Sequence, residues 1–306
     1  MGRLNPHATD RRPVRCIREP RRGNLRGRVT GALEQDLLQH ERRLAISTLE
    51  ALFLGALQGL TEFIPVSSSG HLVFFQSLFG LKEAPLFFDV MLHFGTLMAV
   101  LITFRHDVAA MGSEALKALR GKKGGLEGKL LFWIVLGTIP TGLMGILLKD
   151  WFESFFTRPK SVGAMILITG SLLWLTRWIK GEGRSLERMT WLDAVVIGVA
   201  QGVAIMPGIS RSGTTISVAL YLGLNRELSG RFSFLLSIPA ILGATLLEIP
   251  KLGVIHDPSL ALIGAVTAFG VGYVSLKFLM RMIKLGWVGN FAYYCWAAGI
   301  AMVVGF

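Results

Sequence analysis

The chain has 306 residues, of which 52% are apolar and only 17% are charged, and its mean hydropathy is +0.53. This composition excludes an ordinary soluble protein, which carries more charge and less apolar sequence. The net charge of +12 does not indicate nucleic-acid binding, because no aromatic side chains that could stack on bases are interleaved with the Arg-rich sequence.

The first predicted element is an Arg-rich N-terminal extension over residues 1–45. Its content of Pro, Gly and Arg predicts disorder, although residues 31–45 could instead form an amphipathic helix at the membrane surface. It contains no apolar stretch typical of a cleavable signal peptide. Cys16, in this extension, and Cys295, near the other end of the chain, predict neither a disulfide nor a metal site.

Residues 46–306 are predicted to form an all-α polytopic membrane domain made of two repeats, about 46–180 and about 190–306. Each repeat begins with an apolar pair that is interrupted by Pro and Ser, and three apolar runs follow. The predicted spans are 86–104, 130–149, 161–179, 231–249, 259–280 and 288–306. Because three is odd, the second repeat would enter the membrane in the opposite orientation. The prediction is an inverted repeat, each half having one re-entrant helical hairpin plus three transmembrane helices.

The distribution of basic residues in the loops predicts the orientation. Three segments carry the excess of Lys and Arg, namely 105–129, 177–190 and 281–284. Since basic loops stay in the cytoplasm, the first hairpin would enter from outside and the second from inside. Their tips would meet near the middle of the membrane, in a site that opens to the outer face. The same orientation places the Arg-rich extension outside, against the usual bias.

Two polar clusters interrupt this apolar sequence, and they resemble each other. The first reads QGLTEFIPVSSSGH from Gln58 to His71, and the second reads QGVAIMPGISRSGTT from Gln201 to Thr215. The spacing from Gln to the last shared Gly is the same in both, 58 to 70 and 201 to 213. Charged and hydroxyl side chains are costly at membrane depth, so both clusters indicate a functional site.

Glu62 lies four residues after Gln58, which places both side chains on one helix face. Two oxygens so placed could bind a divalent cation, Mg²⁺ or Ca²⁺, with phosphate oxygens and water completing its shell. A second carboxylate would bind the cation better than Gln58 does. The alternatives are that Glu62 is a general base or that it only pairs with a nearby cation.

The serines after Pro65 could form the start of a new helix, with Ser67, Ser68 or Ser69 as its cap. Exposed N–H groups at such a start bind anions. Ser68 is then a candidate nucleophile with His71 as its base, and His71 is itself a candidate nucleophile or acid. The residues do not decide between these roles.

Arg211 lies among hydroxyl side chains at the start of the corresponding helix in the second repeat. A guanidinium forms bidentate contacts with phosphate and keeps its charge, so a diphosphate fits this cluster. The alternative is a simple pair with Glu62. The predicted substrate-binding residues are Gln58, Ser67, Ser69, Ser210, Ser212, Thr214 and Thr215. His93, within an apolar run, is interpreted as core or supporting and is not included in the site.

The sequence from Gln58 to His71 and from Pro207 to Thr215 closely resembles the motifs of the undecaprenyl-diphosphate phosphatase family, the bacitracin-resistance proteins of bacteria. One family motif is Glu or Gln, three residues, then Glu; the other is Pro-Gly, any residue, Ser-Arg-Ser, two residues, Thr. The resemblance covers about 46–306. The chain departs from the family in the extension before 46 and in having Gln at position 58.

This resemblance implies a catalytic set of Glu62, Ser68, His71 and Arg211. It implies hydrolysis of a C55 polyprenyl diphosphate to the monophosphate and phosphate, in the inner membrane of a bacterium. The reaction would recycle the lipid carrier for peptidoglycan synthesis and confer resistance to bacitracin. The expected partners are the substrate and membrane lipids, without nucleic acid, and a homo-oligomer remains open. The alternative function is an inverted-repeat transporter or flippase of a phosphorylated lipid or anion.

Overall fold

The computed structural model describes residues 46–79, 86–121, 124–156, 158–248 and 258–305. The predictions for residues 1–45 lie outside these ranges. The described residues form twelve α-helices and contain no strands. In chain order the helices are α1 Thr48–Phe63, α2 Ser68–Leu78, α3 Leu86–Thr103, α4 Arg105–Leu119, α5 Leu126–Leu147, α6 Lys149–Phe156, α7 Pro159–Leu175, α8 Trp191–Val203, α9 Arg211–Tyr221, α10 Arg226–Glu248, α11 Pro258–Lys284 and α12 Phe291–Gly305.

Six helical segments in the described ranges are long and apolar enough to cross a membrane, which confirms the helical class and gives one apolar helix at each of the six predicted spans. They are Leu86–Thr103, Leu126–Leu147, Lys160–Trp178, Arg226–Glu248, Pro258–Lys284 and Val288–Gly305. Several helices extend beyond the apolar runs by about a turn. Helix α11 continues to Lys284, because basic side chains in a last turn interact favourably with the carbonyl end of a helix.

Helix α4 occupies part of a segment that the sequence indicated only as a basic connection. Glu114 accepts hydrogen bonds from Lys117 Nζ at 2.6 Å and from the Gly125 N–H at 2.5 Å. These bonds, the one from Lys117 first, hold the pKa of Glu114 below its usual value. The carboxylate therefore links α4 to the start of α5.

The two short helix pairs, α1–α2 and α8–α9, begin and break in the same way. Ser47 and Glu50 form a capping box at the start of α1, and Thr190 and Asp193 form one at the start of α8. The breaks follow Phe63 and Val203, and a serine caps the helix after each break: Ser67 Oγ accepts from the Gly70 N–H at 3.3 Å and Ser210 Oγ from the Gly213 N–H at 3.1 Å. A repeated sequence thus gives a repeated local structure.

Each broken pair packs against a long helix of the other predicted repeat. Helix α1 packs on α11, and α8 packs on α5. The first contact is close enough that a Cβ on Gly55 would lie 2.5 Å from the carbonyl oxygen of Gly264; at the second, Gly198 lies against the carbonyl of Gly137 in the same way. Small residues let helix backbones approach this closely. The exchange of partners brings the two breaks together in the interior.

Candidate active site

The two breaks are in direct contact. Ser212 Oγ, at the start of α9, donates to the carbonyl of Phe63, the last residue of α1, at 2.9 Å. Two further side chains bind the broken backbone: Cys295 Sγ donates to Pro65 O at 3.5 Å, and Thr169 Oγ1 donates to Gly208 O at 3.2 Å. Carbonyls that helix interruption would leave unpaired therefore have partners inside the protein.

Glu62 is the central group of the site. Its Oε1 accepts from Arg211 Nη2 at 2.5 Å, and its Oε2 accepts from Ser68 Oγ at 2.6 Å and from Gln58 Nε2 at 3.1 Å. The carboxylate is 7% exposed and is paired with one guanidinium, as a buried charge requires. Glu62, Ser68 and Gln58 come from the first cluster, and Arg211 comes from the second.

His93 is part of this arrangement, although the sequence analysis did not include it. Gln58 Nε2 lies 3.0 Å from His93 Nδ1, and the same ring nitrogen lies 3.8 Å from Glu62 Oε2. The amide group has two hydrogens, and Glu62 and His93 are its two acceptors. The position of His93 within an apolar run could have indicated a role in the site. The sequence does not show, however, that His93 faces Gln58 from another helix.

His71 has partners other than Ser68 for both ring nitrogens. Nδ1 lies 2.7 Å from the carbonyl oxygen of Ser67, and Nε2 lies 2.7 Å from the hydroxyl of Tyr294 in α12. The Ser68 hydroxyl bonds Glu62 instead. The sequence placed Ser68 and His71 on one helical turn, and the structure keeps them there without joining their side chains. Tyr294 was not identified from the sequence, and it reaches His71 from 223 residues away.

The other predicted substrate-binding residues are serines and threonines, most of whose hydroxyls already have partners in the protein. The hydroxyls of Ser67 and Ser69 lie 3.3 Å apart, as do those of Ser210 and Ser212. Thr215 Oγ1 donates to the carbonyl of Arg211 at 2.8 Å and lies 2.5 Å from Ser233 Oγ, so it faces α10. Thr214 Oγ1 is buried without a hydrogen-bond partner.

The residues around Glu62 offer few donors for the expected divalent cation. In the described ranges, no three His, Cys, Asp or Glu side chains are grouped so as to hold a metal ion. Gln58, however, donates to Glu62 through its Nε2, and its Oε1 is buried without a hydrogen-bond partner. Mg²⁺ commonly takes only one or two protein carboxylates and completes its shell with phosphate and water. One carboxylate and one unpaired amide oxygen fit that minimal set.

Comparison with known proteins gives a consistent result. Residues 51–301 match the family model described as bacitracin resistance protein BacA. An undecaprenyl-diphosphatase from Carboxydothermus hydrogenoformans is 44% identical over 266 residues, which is 85% of this chain and 97% of that relative. One from Desulfosudis oleivorans is 47% identical over 262 residues, 82% and 96% of the two chains, and one from Methanosphaera stadtmanae is 40% identical over 272 residues, 85% and 98%.

Proposed function

The chain belongs to the bacitracin resistance protein BacA family, and from that premise we propose that it hydrolyses undecaprenyl diphosphate to undecaprenyl phosphate and inorganic phosphate. The reaction recycles the lipid carrier of peptidoglycan synthesis and confers resistance to bacitracin. The observation that carries the assignment of residues is the position of Glu62, which binds Ser68 of one break and Arg211 of the other.

Arg211 is proposed to bind the diphosphate. In the structure its guanidinium is paired with Glu62, and an incoming diphosphate with several negative oxygens would compete for it. The helix starts at Ser68 and Arg211 add N–H groups and the positive ends of two helix dipoles. Arg211 would then stabilise the charge on the transferred phosphoryl group and on the leaving phosphate.

Ser68 is proposed as the nucleophile and Glu62 as its base. The hydroxyl already donates to the carboxylate at 2.6 Å, which is the geometry required for proton transfer. Ser68 Oγ attacks the terminal phosphorus while its proton passes to Glu62. The bond between that phosphorus and the bridging oxygen breaks, so undecaprenyl phosphate leaves and Ser68 carries the phosphoryl group.

His71 is proposed to activate the water of the second step. Water attacks the phosphoserine and gives a proton to the imidazole. The bond from phosphorus to Ser68 Oγ breaks, the serine oxygen recovers its proton from Glu62, and inorganic phosphate is released. This division of roles uses the contacts present, because Ser68 bonds Glu62 while His71 bonds Ser67 and Tyr294.

Glu62 and Gln58 are the residues that would hold a divalent cation. A bound cation would neutralise negative charge on the phosphate oxygens. Pairing between Arg211 and the diphosphate would release one Glu62 oxygen for this purpose, while Oε2 keeps its bond to Ser68. Gln58 Oε1, buried and unpaired, is the second oxygen.

The C55 tail is proposed to lie along apolar surface in the membrane. Helix α5 exposes a continuous set of apolar side chains, Phe132, Val135, Ile139, Leu143 and Ile146. The proposed topology is the inverted repeat, with both hairpins re-entrant and the site open to the outer face of the inner membrane. The exchange of helix partners between repeats and the positions of the basic segments support this topology.

The test is phosphate release from undecaprenyl diphosphate by protein purified in detergent, with Mg²⁺ or Ca²⁺ present. We expect turnover and, after rapid quenching, a phosphoryl group on Ser68 in the mass spectrum. Ser68→Ala should abolish both, whereas Ser77→Ala, an exposed serine on the same helix, should retain both. Absence of release with any divalent cation would contradict the proposal and favour transport; a phosphoryl group on His71 would overturn the role of Ser68.

A further inference from the structure

Tyr294 in α12 forms a specific contact with His71. Its hydroxyl lies 2.7 Å from His71 Nε2, and the two rings are stacked with centroids 5.6 Å apart and planes inclined by 13°. His71 is buried, whereas Tyr294 is half exposed.

The hydrogen bond at Nδ1 of His71 shows which ring nitrogen carries the hydrogen. Nδ1 lies 2.7 Å from the carbonyl oxygen of Ser67, and a carbonyl can only accept a hydrogen bond. Nδ1 therefore carries the hydrogen. In the neutral ring Nε2 is then an acceptor, and the Tyr294 hydroxyl must be the donor.

The backbone at Ser67 shows that this arrangement is built into the break. Ser67 has φ +73°, in a region that residues other than glycine rarely adopt, whereas the matching Ser210 has φ −75°. Among the described residues other than glycine, Ser67, whose carbonyl accepts from His71, is the one with a positive φ; the second break has its positive φ at Gly208, where glycine adopts it without strain. Strained backbone of this kind is concentrated at functional sites.

The internal repeat provides a comparison without Tyr294. Cys295 contacts the carbonyl of Pro65 as Thr169 contacts the carbonyl of Gly208, and these two carbonyls match when Gln58 is aligned with Gln201. Tyr294 precedes the donor Cys295 at the first break, and Ile168 precedes the donor Thr169 at the second break.

At the same alignment His71 corresponds to Thr214, whose hydroxyl is buried without a partner. The first break therefore has the hydroxyl donor Tyr294 beside the imidazole of His71. The second break has apolar Ile168 and Thr214 at the corresponding positions. General support of the break does not require the tyrosine, because the second break forms without one.

We propose that Tyr294 is a positioning residue that holds the His71 ring with its basic nitrogen, Nε2, facing the tyrosine hydroxyl, while the Ser67 carbonyl keeps the hydrogen on Nδ1. The proposal rests on the proposed function, in which His71 accepts a proton from water. With Nδ1 already protonated, the proton can arrive only at Nε2. The Tyr294 hydroxyl holds this nitrogen in place before the reaction and turns away from it when the attacking water delivers its proton.

The first test is ¹⁵N NMR of histidine-labelled protein in detergent, with the His71 signal assigned by its loss in His71→Gln. We expect the Nδ1–H tautomer with a hydrogen bond accepted at Nε2 in the parent protein. In Tyr294→Phe, which keeps the ring, we expect loss of the hydrogen bond at Nε2, while the Ser67 carbonyl keeps the hydrogen on Nδ1. An Nε2–H ring in the parent protein would overturn the proposal, whether or not the variant folds.

The second test separates positioning from general structure. Tyr294→Phe should lower kcat about tenfold with KM within about a factor of two, since positioned proton transfer contributes about 10²–10⁴-fold in total. Tyr293→Phe is the matched control: its hydroxyl accepts from Arg177 at 2.9 Å, away from His71, and kcat should not change.

Equal kcat and an unchanged ¹⁵N signal of Nε2 in Tyr294→Phe would overturn the positioning role while the phosphatase function stands. Failure of the parent protein to release phosphate would instead contradict the function, and the NMR measurement would still decide the tautomer.

Discussion

Glu62 and Arg211 are 149 residues apart in the chain and belong to different predicted repeats, yet their side chains meet at 2.5 Å. Each comes from the edge of a helix break, Glu62 near the end of α1 and Arg211 at the start of α9. The pair therefore joins the two breaks. The pair also occupies the Arg211 guanidinium and Oε1 of Glu62. Binding of a diphosphate to Arg211 would therefore have to separate the two side chains.

Arg211→Lys tests the bidentate role of the guanidinium. Lysine keeps the positive charge near Glu62, which avoids leaving a buried carboxylate unpaired, but it lacks the planar pair of donors that fits a phosphate. We expect kcat/KM for undecaprenyl diphosphate to fall about 10²-fold, the range seen when one donor to developing charge is removed. Steady-state phosphate release measures it.

The control is Arg281→Lys, since Arg281 is exposed at the end of α11. It should change kcat/KM by less than about a factor of two, because an exposed charge makes a small energetic contribution. If Arg211→Lys is as active as this control, the guanidinium does not bind the diphosphate in the way proposed.

Much of the fold could be predicted from the lengths of the apolar runs and from the Pro and Ser residues that interrupt them. The six spans are long apolar runs, and the interruption at Pro65 coincides with the end of α1 and a serine cap. The meeting of Glu62 and Arg211 could also be inferred, because buried charges need partners and each cluster supplies one sign. These features depend on local sequence or on a strong energetic requirement.

The contacts of His93 and Tyr294 could not be inferred in the same way. Each reaches the site from a helix whose sequence is mostly apolar, and rotation of that helix by one residue would point the side chain elsewhere. Pairing of Ser68 with Glu62 rather than with His71 likewise depends on the turn at Ser67, whose positive φ no sequence rule assigns to serine. Helix rotation and local backbone geometry come from packing between distant segments.

Gly55→Ala tests the close contact of α1 with α11. A Cβ at this position would lie 2.5 Å from Gly264 O, and a backbone atom cannot move away as a flexible side chain can. We expect a loss of about 1–3 kcal/mol in the free energy of unfolding, the usual cost of overpacking. Thermal unfolding in detergent, followed by tryptophan fluorescence, shows the change as a lower midpoint.

Gly270→Ala is the matched control on α11, because a Cβ there would meet no heavy atom within 4 Å. It should be neutral or slightly stabilising, since alanine favours a helix more than glycine does. Equal midpoints for the two variants would show that α1 and α11 do not approach as closely as described.

Gln58→Glu tests the cation site. A second carboxylate beside Glu62 would repel it when no cation is bound, and two carboxylates bind a divalent cation better than a carboxylate and an amide. In EDTA we expect a thermal midpoint below that of the parent protein. Saturating Mg²⁺ or Ca²⁺ should restore it, since a ligand at 100 times its Kd adds about 2.7 kcal/mol to the stability.

Gln201→Glu makes the same substitution at the matching position of the second repeat. Gln201 Nε2 donates to Thr141 Oγ1 at 3.3 Å and to Leu236 O at 3.4 Å, and Ile205 stands where Glu62 would be. The new carboxylate would be buried opposite acceptors and without a second carboxylate, so the midpoint should fall and divalent cations should not restore it. Equal responses of the two variants to Mg²⁺ would mean that Glu62 and Gln58 do not form a cation site, because the response would then come from elsewhere on the protein.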